Sequence, residues 1–332
     1  MRAIFTKLAF TLALGATASG PFDRTLAEDF PHGNITAFVA LAPGGSMDVI
    51  TRLYGQKLSE HFGTPFVVVN RGEAAGNLAA ETVARAKPDG RTLLVASSGV
   101  YAINGTFFKS LPFDPVNDFA PIALYVKIPF ILVTSAQSPI NSVPELVKAA
   151  KEQPGKITFA STGVSLARHL AGELLKMKLG IDLTHVPYKG SMTQALTDVI
   201  ARNVDLVFAD PSVALALIKD GKLKAFGVSS LNRLPQIPDL PTIGEAINAP
   251  DFEAVSWHVI AAPAKTPRPI VDTLSAAITD AIQDPALLRR IEVMGLAPVA
   301  PPLSPEATKN YIAAETAKWG ALIERLDLVH SQ

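Results

Sequence analysis

Two adjacent glycines separate an apolar run from a helix-like pattern in ALAPGGSMDVITR, residues 40–52. Gly44 and Gly45 have no Cβ, so a ligand can approach this part of the backbone closely. The amides that begin the following helix are unpaired donors at the positive end of the helix dipole. The turn from Pro43 to Ser46 therefore predicts an anion-binding site, although a tight strand-to-helix turn without a ligand explains the same pattern. Asp48 would repel an anion, and we expect it to cap the helix or to contact a ligand hydroxyl or amine.

A second strand-to-helix junction of this kind occurs in FASTGVSLARHLAGE, residues 159–173. Its hydroxyl groups can donate hydrogen bonds, and its glycine allows close approach of a ligand to the backbone. The ends of two other strand patterns, VASSGVY and VDLVFAD, add polar side chains. The candidate ligand-binding residues of these stretches are Ser97, Ser98, Ser161, Thr162, Gly163, Ser165, Arg168, His169 and Asp210. Helix capping is the alternative role for each serine, and a structural hydrogen bond is the alternative for His169.

Arg168 has an unusual position for a cation. A helix predicted from about Ser165 to Leu179 places Arg168 in its first turn, where a positive charge opposes the helix dipole at a cost of about 0.3–1 kcal/mol when exposed. A compensating partner is therefore expected. It is either a carboxylate of the ligand, held by the guanidinium, or a surface acid or water.

Motifs for catalysis, metals and nucleotides are missing from the sequence. It has no cysteine, which excludes disulfides, zinc thiolates and cysteine nucleophiles. It contains no phosphate-binding loop, dinucleotide fingerprint or HExxH, and GGSMD and GVSLA both lack the second glycine of a nucleophile elbow. Lys and Arg together number 30, as do Asp and Glu, and a neutral chain does not favour nucleic acid. We therefore expect no enzyme activity, no cofactor and no metal site.

Strand and helix patterns alternate along most of the chain, which favours parallel sheets with crossover helices. Two apolar segments, residues 119–135 and 251–263, interrupt the alternation, and each is predicted to cross between domains. We expect two α/β domains with a ligand cleft between them, because ligands of open α/β sheets bind beyond the carboxyl ends of the strands. The first domain is expected to contain residues 28–127 and 256–332, and the second residues 128–255.

The first 27 residues have the properties of an export signal. Arg2 and Lys7 flank an apolar core, LAFTLALGATA, that is too short to span a bilayer. Cleavage is expected after Ala18 or Ala27, with a buried first helix as the alternative. No later apolar stretch is long enough to span a membrane, and no cysteine can carry a lipid. We therefore expect a soluble, periplasmic mature protein without a lipid anchor.

Several longer stretches resemble the extracytoplasmic solute receptors of tripartite tricarboxylate transporters, the Bug family. They include APGGSMDVITRLYGQKL, HLAGELLKMKLGIDLTHVPYKG and RLPQIPDLPTIGEA, and the matching stretches cover nearly the whole mature chain in order. The resemblance implies a two-domain, hinge-closing binding protein of type II that captures a small carboxylate and delivers it to a membrane permease. It also implies that residues 43–48 and 162–165 contact the ligand.

The sequence departs from this family in two places that concern the ligand. NRGEAAGN at residues 70–77 lacks the proline common in the family and contains Glu73, and GVSLARH at residues 163–169 replaces small, polar or proline positions. The leading hypothesis is a monomeric, non-catalytic receptor for a di- or tricarboxylate, an aromatic acid or an acidic amino acid. An exported α/β hydrolase using Asp48 or Asp210 is the alternative, and a sensor that presents its ligand to a signalling partner is a third. The sequence leaves the identity of the carboxylate open.

Overall fold

The computed structural model describes residues 30–164, 166–188 and 191–331. The predicted signal segment and Ser165 lie outside these residues. Within them the strands are β1 (Ile35–Val39), β2 (Phe66–Asn70), β3 (Thr92–Ser97), β4 (Phe119–Ile128), β5 (Ile131–Ser135), β6 (Thr158–Ser161), β7 (Thr184–Pro187), β8 (Leu206–Ala209), β9 (Leu223–Val228), β10 (Ser256–Pro263) and β11 (Ala297–Leu303).

Helices follow most of the strands. They are α1 (Ser46–Phe62), α2 (Asn77–Ala84), α3 (Asn104–Phe107), α4 (Val143–Glu152), α5 (Ala167–Leu179), α6 (Met192–Ile200), α7 (Pro211–Lys219), α8 (Ile243–Ile247), α9 (Arg268–Ala281), α10 (Pro285–Val293) and α11 (Pro305–Arg325). In the described ranges no helix combines the length and the apolar character needed to cross a bilayer.

The first sheet has six strands in the order β11-β4-β10-β3-β1-β2. β1 pairs in parallel with β2 and β3, as the alternation of strands and helices predicts. β10 is antiparallel to both of its neighbours, β3 and β4, so the expectation of a parallel sheet is wrong for this strand. Its residues from Trp257 to Pro263 are all buried, and a wholly buried strand has the same apolar pattern whichever way it runs.

The second sheet has five strands in the order β7-β6-β8-β5-β9. β6 pairs in parallel with β7 and β8, whereas β5 is antiparallel to β8 and β9. All five residues of β5 are buried, so its apolar pattern again carries no information on direction. In each sheet the parallel strands bring their carboxyl ends, and the loops that follow them, to one edge.

Two crossing segments, residues 129–130 and 229–255, connect the sheets. Phe130 donates its backbone N–H to Ser229 Oγ at 2.9 Å. The N–H of Ser229 donates to the carbonyl of Phe130, also at 2.9 Å. Lys127 Nζ lies 3.1 Å from a carboxylate oxygen of Glu253. These contacts hold the two crossing segments side by side.

Helix α11 packs on the first sheet around two tryptophans. Trp257 of β10 and Trp319 of α11 are fully buried. Both indole N–H groups donate to Oε2 of Glu315 at 3.0 Å. The other oxygen of this buried carboxylate accepts from Lys318 Nζ at 2.5 Å. This network ties the last helix to the strand that returns from the second sheet.

Candidate functional site

The predicted anion site at the start of α1 is an exposed turn. α1 begins at Ser46, and its N-cap residue Gly45 has extended backbone and no side-chain cap. Gly44 has a φ of +81°, in the left-handed region that favours glycine. Its amide donates to Asp48 Oδ2 at 2.9 Å. Pro43, Gly44 and Gly45 are exposed, so the start of α1 is open to solvent and no side chain caps it.

Asp48 closes this turn from inside the helix, and Gly45, not Asp48, occupies the cap position. Its side chain is buried, and Oδ1 lies 2.9 Å from Arg52 Nη2. Burial alone would raise the pKa of Asp48, but hydrogen bonds from the Gly44 amide and from Arg52 outweigh it, so that the pKa is lowered overall. Asp48 is therefore ionised at neutral pH, and Arg52 balances its charge.

Ser97 is the last residue of β3 and Ser98 follows it; β3 neighbours β1 in the first sheet. Ser97 is half-buried and lies opposite His258 of β10 in the strand register. Ser98 is fully buried, and its Oγ lies 3.4 Å from Oγ of Ser256. The hydroxyl of Ser98 thus faces the point where the second crossing segment enters β10.

The second group of candidates surrounds the end of β6. Ser161 is fully buried, accepts a hydrogen bond from the Gly163 amide at 3.1 Å and lies 2.9 Å from the Gly163 carbonyl. Its Oγ is also 2.6 Å from His185 Nε2. Since a hydroxyl has one proton, Ser161 can donate to only one of the Gly163 carbonyl and the imidazole. Gly163 has a φ of +155°, and the loop around it is shaped by this small network.

His169 and His185 have neighbouring rings. Their ring centroids are 4.1 Å apart and the rings are tilted by 32°, whereas the ring of His169 is stacked on Phe159 at 6.3 Å. Burial, together with the neighbouring His185 and Lys176, lowers the pKa of His169 to about 3. Burial and Lys176 lower the pKa of His185 to about 4. Both rings are therefore neutral at neutral pH, and His169 presents no positive charge to a ligand.

Arg168 lies in the first turn of α5, as predicted, and its partner is Asp210. Nη2 of Arg168 lies 2.5 Å from Oδ1 and 2.7 Å from Oδ2 of Asp210, and Nη1 donates to Thr162 Oγ1 at 3.4 Å. The guanidinium also lies over the ring of Phe130, 4.9 Å from its centroid. Asp210 holds the N-cap position of α7 without making a cap hydrogen bond, because its carboxylate is turned to Arg168.

Both groups of candidates adjoin the crossing segments. In the first group, Ser98 contacts Ser256, which pairs with Ile128 at the end of β4. In the second group, Arg168 contacts Phe130, two residues further along the chain. The structure therefore brings Ser98 and Arg168, one residue from each group, to the region where the sheets are joined.

Sequence reasoning missed three residues that shape these groups, namely Arg52, Phe130 and His185. A cation four residues after Asp48 on a helix is a recognisable signal for Arg52. No local pattern brings His185 to Ser161, because their contact depends on the pairing of β6 with β7. Among the described residues, no group of three or more His, Asp or Glu side chains is arranged to hold a metal ion.

The fold and the arrangement of its strand ends define the class of protein. Two α/β sheets joined by two crossing segments, with polar loops at the strand ends, are the architecture of the two-domain periplasmic binding proteins. Residues 50–328 match the model of the tripartite tricarboxylate transporter family receptors. The chain belongs to this family, and the resemblance to Bug receptors is confirmed.

The similarity to known proteins covers nearly the whole chain. The UPF0065 protein in the tcbD-tcbE intergenic region of Pseudomonas sp. strain P51 is 36% identical over 312 residues, which cover 94% of this chain and 91% of the relative. The structure of the periplasmic binding protein BugD has a TM-score of 0.76 and 31% identity and covers 90% of this chain and 99% of its own. The structure of R. palustris Rpa4515 with adipate has a TM-score of 0.78 and 30% identity and covers 89% of this chain and 98% of its own.

Proposed function

We propose that this protein captures a small organic carboxylate between its two domains and delivers it to the membrane permease of a tripartite transporter. The start of α1 carries the proposal, since Gly45 heads this helix without a side-chain cap and the first-turn amides can donate to a carboxylate. Helix α5 has Leu166 as its N-cap residue, also without a side-chain cap. Membership in a family of solute receptors and the adipate bound by Rpa4515 support a carboxylate as the ligand.

The proposed contacts divide into a polar surface and a supporting layer. Backbone amides of residues 45–46 and 162–164 hold the carboxylate, with hydroxyls of Ser46 and Ser97 at the edge. Ser98, Ser161 and His169 are buried and support the loops from behind. This division gives Gly44, Gly45 and Gly163 a role, because a residue without a Cβ lets the ligand approach the backbone amides closely.

We propose that the domains comprise residues 28–127 with 256–332, and residues 128–255, and that ligand binding closes them about the crossing segments. The membership of the strands in two sheets supports this division. Small-angle scattering should show a monomer whose radius of gyration decreases when ligand is added. An unchanged radius at saturation, in a protein whose free form is open, would contradict the closure.

We propose binding without catalysis. The contact between Ser161 and His185 is the geometry closest to a nucleophile and its base, but Ser161 is fully buried and already bonded to Gly163. A bound carboxylate should be recovered chemically unchanged after long incubation, as mass spectrometry can show. Stoichiometric conversion to a product would favour the hydrolase instead.

A thermal-shift screen of mono-, di- and tricarboxylates and amino acids tests the ligand class. A ligand at 100 times its dissociation constant adds about 2.7 kcal/mol to the free energy of unfolding, which gives a clear rise in melting temperature. Amines, sugars and phosphates of similar size serve as controls. If no carboxylate raises the melting temperature while a control compound does, the proposed ligand class is wrong.

Export of the chain is also proposed, with loss of the first 18 or 27 residues. The basis is the charged start and short apolar core of the sequence. Mass spectrometry of protein from the periplasmic fraction should find the shortened chain. The intact chain in the cytosol would contradict export. Purification of the exported protein with its permease would distinguish a transport partner from a signalling partner.

A further inference from the structure

The positive charge of Arg168, in the group of candidates around the end of β6, is neutralised by Asp210. Both carboxylate oxygens of Asp210 lie within 2.7 Å of Arg168 Nη2. Thr162 accepts from Nη1, and the face of the guanidinium lies on Phe130. The side chains of Arg168 and Asp210 are 20% and 27% exposed, so the pair reaches solvent but is shielded enough to keep its attraction.

The arginine of the first group, Arg52, is 52% exposed but also has an aspartate as its ion-pair partner. Arg52 pairs with Asp48 Oδ1 at 2.9 Å and donates to Asn70 Oδ1 at 3.2 Å. The two groups therefore contain two arginines and two aspartates whose charges cancel. The partial positive charge of the first-turn amides can still attract an anion, and it suits one carboxylate. Neither Arg52 nor Arg168 is free to pair with a second carboxylate.

Apolar side chains stand next to the candidate ligand residues. Leu41 is 42% exposed, Val164 is 38% exposed and Val213 is 42% exposed. Leu41 lies two residues before Pro43, Val164 follows Gly163, and Val213 lies in the first turn of α7 beside Asp210. Large apolar side chains at three such junctions can contact the hydrocarbon part of a ligand.

We propose that the Arg168–Asp210 pair is a specificity device that selects a monocarboxylate with an apolar chain or ring and disfavours the matching dicarboxylate. A second carboxylate near α5 would meet the negative charge of Asp210, or would have to displace Asp210 from Arg168. This proposal rests on the proposed function, because it narrows the ligand of the same site. The proposed ligand also differs from that of Rpa4515, whose structure contains the dicarboxylate adipate.

The test compares ligands that differ by one carboxylate. Isothermal titration is run with hexanoate against adipate, and with benzoate against terephthalate. The wild-type protein should bind the monocarboxylate of a pair at least tenfold more tightly than the dicarboxylate. Asp210→Asn keeps the shape and a residue suited to the N-cap but removes the negative charge, which frees Arg168 to pair with a second carboxylate.

Asp210→Asn should raise the ratio of dicarboxylate affinity to monocarboxylate affinity at least tenfold over that of the wild type. The double variant Asp210→Asn with Arg168→Gln should lose this gain, since the freed guanidinium is then absent. Asp182→Asn is a matched control in the same domain, because Asp182 is 63% exposed and lies 3.8 Å from Lys176; the affinity ratio should stay that of the wild type. Circular dichroism melting curves verify that each variant is folded.

Two results have different meanings. If carboxylates bind but the ratio is the same in wild type and in folded Asp210→Asn, or if the wild type prefers the dicarboxylate, the specificity proposal is overturned and the proposed function stands. If neither these probes nor the wider carboxylate screen bind wild type or variants, the proposed function fails and the specificity proposal fails with it.

Discussion

Replacing Gly45 by valine tests the main-chain anion site with little effect on the fold. Gly45 has φ −75° and ψ 169°, an extended conformation that valine adopts readily. A Cβ at this position would lie 3.7 Å from the carbonyl oxygen of Ala42, an ordinary contact. Glycine is only a moderate N-cap residue and valine a poor one, so the free energy of unfolding should fall by about 1 kcal/mol or less.

The effect on binding should be larger than the effect on stability. The branched side chain would occupy the side of the turn from which a carboxylate must reach the first-turn amides of α1. Loss of one hydrogen bond to a charged group costs about 1.5–3 kcal/mol, which weakens binding about 10- to 150-fold. Gly45→Ala adds a single methyl group and should show an intermediate loss.

Isothermal titration with a carboxylate identified by thermal shift measures the dissociation constants of wild type and both variants. Circular dichroism and thermal melting establish that the variants are folded. If folded Gly45→Val binds the carboxylate with wild-type affinity, the backbone at the start of α1 does not hold the ligand. The proposed anion site would then be wrong, whatever the ligand is.

Two further predictions concern stability. Glu315→Leu leaves the buried indole N–H groups of Trp257 and Trp319 without an acceptor, and the free energy of unfolding, measured by urea unfolding with tryptophan fluorescence, should fall by about 2–6 kcal/mol. Glu315→Gln keeps an oxygen acceptor and should be destabilised less. If Glu315→Leu lowers the free energy of unfolding by less than about 0.5 kcal/mol, Glu315 does not have this role. Burial lowers the pKa of His169 and of His258 to about 3 each, so unfolding takes up protons as the pH falls below about 6.5. The stability from each neutral ring is complete above that pH and should fall by about 2 kcal/mol between pH 7 and pH 5. His258→Gln should reduce the slope of stability against pH, and an unchanged slope would refute the assignment.

The general architecture was accessible from the sequence because it depends on patterns repeated over many residues. Alternating strand and helix patterns predict an α/β fold, and the apolar segment of residues 119–135 contains the passage from β4 to β5. The directions of β5 and β10 were not accessible, since both are buried along almost their whole length. Each of the two strands is entered from a crossing segment that leaves the other sheet, and not through a strand–helix–strand connection within its own sheet.

Local chemistry was determined by the sequence itself. The glycine turn before α1, the missing side-chain cap at Gly45 and the first-turn position of Arg168 all depend on residues within a few positions of one another. Backbone conformation over such short spans follows from residue type, so a short pattern is enough to predict it.

The partners of the charged and polar side chains were decided by the tertiary structure. Arg168 meets Asp210 across 42 residues, Ser161 meets His185 across 24, and Trp257 meets Glu315 across 58. The first two contacts depend on which strands are neighbours and on the direction in which they run, and the third depends on the packing of α11 on the first sheet. The sequence therefore determined the local backbone features on which the proposed anion site depends. Only the tertiary structure decided which arginine charge was already neutralised, because burial and strand order set the distance between two charges that the chain itself keeps far apart.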